Sequence, residues 1–189
     1  MISIFNTIFA FLLFLIVFTV QIIWINGFVT IDDLCLFYLP AMVVVLTALI
    51  FSYTALLGVF LGNLICTYLT LNSLQFYSLV TLSAVPALSG AIAIFICSHT
   101  NKNIREFLGS APSGSEIDAL DIFYFCAVYS IVHSLILFLY GGFGQGASIE
   151  VIINQTCGIL FGNLSGSFIG FIGLNLVYTF VNRALIRHS

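Results

Sequence analysis

"LPAMVVVLTALIFSYTALLGVFLGNL", residues 39–64, runs its whole length without Asp, Glu, Lys, Arg or His. Apolar side chains cover every helical face of it, so no side suits water. The rest of the chain is similar. Of 189 residues, 61% are hydrophobic and 6% charged, and the mean hydropathy is +1.22. A soluble domain carries about a quarter charged residues. A chain this poor in charge cannot cover a water-facing surface, which makes it an integral membrane protein with the lipid bilayer as its first partner. No basic patch for nucleic acid exists.

Apolar runs of roughly 20 residues suit helices. The alternating ten-residue segments of a barrel are missing. Hydropathy predicts one all-α bundle of six transmembrane helices, over about 4–25, 34–52, 54–71, 76–98, 120–141 and 150–182. Spans two and three are joined by almost no loop, and Pro40 falls in the first turns of span two, where a missing N–H matters least. The first run lacks a preceding Lys or Arg and a cleavage signature, so it reads as a retained span. The only basic side chains are Lys102, Arg105, Arg183 and Arg187. Six spans put all four on one side, whereas five or seven would separate them. The positive-inside rule then places both termini and the 99–119 loop in the cytoplasm, with Asp32, Asp33 and Glu150 outside. The expected location is a bacterial cytoplasmic membrane.

Two stretches break the oily pattern. "HTNKNIREFLGSAPSGSEIDALD", residues 99–121, reads as a flexible cytoplasmic connector or a docking segment, with Ser115 and Asp118 as a capping-box variant for span five. "YGGFGQGASIEVIINQTCG", residues 140–158, makes the start of span six either irregular or an ordinary outer loop before one long tilted helix.

No Asp, Glu, Lys or Arg sits in the middle of any span, which argues against proton relays and most ion-coupled pumps. His133 lies mid-span, as a ligand-binding group or as a neutral histidine bonded to a neighbouring helix. Cys35, Cys66, Cys97, Cys126 and Cys157 lie far apart and read as small hydrophobes. Neither a metal site nor a cofactor is expected, and the polar residues do not suggest an enzyme.

One motif recurs at an interval of one hundred residues. "GVFLGNL", residues 58–64, and "GILFGNL", residues 158–164, both read Gly-x-x-x-Gly-Asn-Leu. Gly58 with Gly62, and Gly158 with Gly162, share a helix face and let a neighbouring backbone approach. Asn63 and Asn163 must each find a partner, on another helix or on a ligand. The second copy continues through Gly166 and Gly170 at four-residue spacing, which predicts that span six packs at the bundle centre. Asn154, Gln155, Asn163 and Ser165 are then candidates for an internal cavity, with Asn63 facing them from an opposing helix and His133 as a further candidate.

Residues 39–64 also resemble the membrane-associated sensor (MASE-type) domains of bacteria, in which a proline-containing span, a short turn and a glycine-rich helix follow one another. "VPALSGAIAIFICSHTNKN", residues 85–103, is similar to the next span of that family and its exit. "ILFGNLSGSFIGFIGLNL", residues 159–176, is similar to its closing helix, with Asn163 where the family tends to have Asp. The resemblance implies a sensor whose signal passes to a separate protein, because "NRALIRHS" alone follows span six. The expected function is therefore a non-enzymatic sensing or binding module with a small-molecule ligand and a membrane or cytoplasmic protein partner. A small transporter, or the substrate-binding subunit of one, is the alternative. An accessory subunit of a membrane complex is a third.

Overall fold

A computed structural model describes residues 2–25, 30–31, 34–35, 38–70, 75–109, 117–144 and 149–186, with side chains within 3–23, 38–70, 75–109, 117–140 and 149–173. The described chain is almost entirely helical. Helix α1 (Ile2–Val20) continues into a short π-helical stretch, Gln21–Ile25. Strands β1 (Thr30–Ile31) and β2 (Leu34–Cys35) pair antiparallel. Helices α2 (Pro40–Phe51), α3 (Leu56–Thr70), α4 (Phe76–Thr100), α5 (Lys102–Gly109), α6 (Ala119–Gly144) and α7 (Ile149–Ile186) follow. Among the described residues, five segments are long and apolar enough to cross a membrane: Ser3–Ile23, Pro40–Thr70, Phe76–Thr100, Ala119–Tyr140 and Ile149–Gly173.

The second of these segments is not a straight rod. Helix α2 has twelve residues, about 18 Å at 1.5 Å per residue, and falls short of a hydrocarbon core of about 30 Å. It ends at Ser52, whose φ of 53° lies in the left-handed region. The chain then reverses through a 3₁₀ turn, Ser52–Ala55, into α3. The start of α1 pins this turn. Asn6 Nδ2 donates to Thr54 Oγ1 at 3.0 Å, and Thr7 Oγ1 donates to the Thr54 carbonyl at 3.0 Å. At the other end of α2, the Leu39 N–H donates to Gln21 Oε1 at 3.0 Å. Helix α2 therefore runs antiparallel to α1. Helix α3 runs parallel to α1, with Gly58 against Thr7 and Phe11, and Gly62 against Phe14.

Helix α2 begins deep inside the bundle. The Tyr38 N–H donates to the carbonyl of Gly162 at 2.9 Å, and Gly162 lies well inside α7. Irregular backbone away from water survives only where protein satisfies it. Here each polar N–H is accounted for. Tyr38 and Leu39 bond as above, Pro40 has none, and Ala41 and Met42 donate to the carbonyls of Tyr38 and Leu39. The helix is enclosed on all sides, and Pro40 to Val45 are all buried.

This arrangement decides between two alternatives and corrects one expectation. Of the two readings of span six the long helix holds, continuous from Ile149 to Ile186, and irregular backbone at depth precedes α2 instead. The central helix is α2 rather than α7. The most apolar stretch of Pro40–Thr70 is 56% buried within the protein, against 22% for that of α7. The glycine stripe of α7 accommodates α2 from one side only. A Cβ on Gly166 would collide with the Tyr38 backbone, and one on Gly170 with the Met42 side chain.

The 99–121 segment holds more structure than a plain connector. Lys102–Gly109 is helical, and Ile104 is fully buried. The box that opens α6 pairs Asp118 with Asp121. The Asp121 N–H donates to Asp118 Oδ1 at 2.8 Å, and the Asp118 N–H donates to Asp121 Oδ2 at 3.5 Å. This is a reciprocal cap, three residues beyond the expected one. Ser115 itself lies outside the described residues, as do Asp32 and Asp33. Asp121 also accepts from Asn101 Nδ2 at 2.8 Å and Asn103 Nδ2 at 3.1 Å. That clasp ties the exit of α4 to the start of α6.

Candidate functional site

A cavity of about 410 Å³ lies among α3, α4, α6 and α7, with Tyr38 closing one side. Its lining brings together Asn63, His133, Gln155 and Asn163, along with Gly158 and Gly162. Most of the remaining wall is apolar, from Leu82, Val85, Pro86, Leu137 and Ile159. A concave apolar site with a few convergent polar groups is the usual form of a small-molecule pocket.

Each polar group arrives for a different reason. Gly58 and Gly62 seat α3 on α1. Asn63 is one residue further round the helix, 7% exposed, and donates from Nδ2 to the Ser83 carbonyl of α4 at 3.3 Å. His133 is 6% exposed and bonds through Nδ1 to the Tyr129 hydroxyl, one turn earlier on α6, at 3.2 Å. With Nδ1 occupied, Nε2 is the ring nitrogen that can serve a guest. Gln155 is exposed and forms part of the cavity rim.

Asn163 differs from the rest. It is 1% exposed, and its Nδ2 has no hydrogen-bond partner. Among the described residues, the hydroxyls of Ser130 and Ser134 on α6 are likewise without a partner, and the Ser167 hydroxyl on α7 has only the weak Cys126 thiol of α6 beside it. Elsewhere the buried serines Ser83 and Ser89 bond to the carbonyl four residues back, at 2.7 Å each. The α6–α7 seam is thus the one place where the described bundle leaves its buried side-chain donors unsatisfied. Buried unpaired donors are rare and cost about 1–3 kcal/mol each.

Two sequence candidates fall outside the cavity lining. Asn154 is exposed on the other side of α7. Ser165 turns back on its own helix, donating to the Phe161 carbonyl at 2.6 Å. Sequence reasoning missed Tyr38, Tyr129 and Pro86. The spacing in "YSIVH", residues 129–133, carries the Tyr129–His133 contact and was the available signal. Pro86 lies inside α4 and lacks the N–H that would bond the Leu82 carbonyl. Among the described residues, no group of three His, Cys, Asp or Glu is placed to hold a metal ion. Compared with known proteins, the chain matches no family model, no curated protein and no solved structure.

Proposed function

We propose that this protein is a non-enzymatic, multi-pass membrane module that binds a small molecule within the bundle and signals its occupancy to a partner protein. The observation that carries the reading is the unpartnered Asn163 amide on the wall of a cavity large enough for a guest. A guest that accepts from Nδ2 recovers the cost of the orphaned donor.

The route to a partner runs through α4 and α6. Both helices line the cavity, and the Asn101–Asp121–Asn103 clasp joins them at one end. A guest that spreads the two helices loads that clasp and shifts α5. Helix α5 presents Lys102 and Glu106 to water as an ion pair at 3.6 Å. The resemblance of residues 39–64 and 159–176 to membrane-associated sensor domains points the same way.

The topology that goes with this reading has six passes, α2 being a short one and α3 returning beside α1. In its support, α3 parallels α1 and α2 opposes both. An even number of passes keeps Lys102, Arg105, Arg183 and Arg187 on one face, the cytoplasmic side of a bacterial inner membrane. Reporter fusions after residues 25, 72, 110 and 186 test it; the fusions at 110 and 186 must report the same side.

The test of function is purification in mild detergent, followed by identification of co-purifying small molecules and proteins. Wild type is expected to carry a small molecule that Asn163→Leu lacks, while both retain the same protein partner. Loss of the reading follows if wild type and variant carry the same small molecules. One observation favours a second reading, the substrate-binding unit of a transporter: α2 is a half-length helix that begins at the cavity, as discontinuous helices do in transporters. Solute flux in proteoliposomes containing the partner separates the two.

A further inference from the structure

We infer that the guest is electrically neutral and presents a hydrogen-bond acceptor of the carboxamide-carbonyl kind. The inference rests on the binding function proposed above and narrows its ligand. Three observations carry it.

First, among the described residues no Asp, Glu, Lys or Arg lines the cavity. A charged guest would enter an apolar site without a counter-charge, and burying an unpaired charge is far costlier than burying a neutral polar group. Second, the one feature able to replace a cation there is already spent. The start of α2 reaches the cavity through Tyr38, and a helix N-terminus favours anions through its free N–H groups. Yet the N–H groups of Tyr38, Leu39, Ala41 and Met42 all bond within the protein, and Pro40 has none. Third, the group left over is a neutral donor. Asn163 Nδ2 is unsatisfied, and its residue is 1% exposed. A neutral amide donor matches a neutral acceptor, such as the C=O of a carboxamide.

Three isosteric probes differ in charge: benzamide, benzoate and benzamidinium. Thermal unfolding of the purified full chain in detergent, titrated with each, reads out binding. Benzamide is expected to raise Tm saturably, and each charged isostere to act at least about tenfold more weakly, as an uncompensated buried charge requires. Asn163→Leu is expected to abolish the benzamide shift. Asn154→Leu, outside the cavity, is expected to keep it and serves as the folding control. An equal or larger shift with benzoate or benzamidinium overturns the inference. So does a benzamide shift that survives Asn163→Leu, or the lack of a shift with all three. A charged small molecule that co-purifies with wild type and is lost in Asn163→Leu overturns this inference while leaving the binding function standing.

Discussion

The two copies of Gly-x-x-x-Gly-Asn-Leu occupy opposite situations. In the first, Gly58 and Gly62 press directly on α1, and the Asn63 amide closes onto the α4 backbone. In the second, Gly158 and Gly162 border a cavity, and the buried Asn163 Nδ2 has no hydrogen-bond partner. Identical local chemistry closes a helix contact in one copy and leaves a buried donor unpaired in the other. The neighbours differ. Helix α3 lays its glycine face against α1, whereas Gly162 of α7 meets the Tyr38 backbone and Gly166 and Gly170 meet Tyr38 and Met42.

Five substitutions probe that contrast. The largest effect is expected from Gly58→Val and Gly166→Val, where a side chain would meet the backbone of Thr7 or Tyr38. Backbone cannot step aside, so each costs about 3 kcal/mol or more, seen as loss of folded protein in detergent. Gly62→Val is expected to cost less, about 2 kcal/mol, because it meets the Phe14 side chain, which can rotate. Asn63→Leu removes one interhelical bond and should lower stability by about 1 kcal/mol. Asn163→Leu is the smallest in stability: it deletes an unsatisfied donor, so the empty protein is expected to hold or gain up to about 1 kcal/mol. Equal destabilisation by the two asparagine changes, in denaturant or thermal titrations, would erase the distinction between the copies.

Much of this was legible in the chain. Charge scarcity and apolar run lengths point to a helical membrane protein. The repeated motif and the mid-span histidine point to Asn63, Asn163 and His133, and Gln155 follows from the polar start of span six. What stayed hidden has one physical cause. Hydropathy reports distance from water and cannot tell protein from lipid. Residues 40–51 are apolar on every face because α2 is sheathed by other helices, so they pass for a full span. The glycine stripe of α7 suggested a central helix, although a stripe describes one face only. The Asp118–Asp121 box was not foreseen because Asp121 also serves the Asn101 and Asn103 amides, a long-range demand that no local window contains.

The hydrogen bond between Tyr38 and Gly162 has a consequence for biosynthesis. Gln21, the acceptor for Leu39, is made before α2 emerges from the ribosome. The acceptor for Tyr38 belongs to α7, which is made long after α2. Until α7 has been inserted, the start of α2 lacks one of its two anchors, and a helix this short has no stable station of its own in lipid. The nascent chain must therefore hold residues 38–55 at the membrane surface, or in an unfinished bundle, until α7 is in place. The centre of this molecule is the part that settles last.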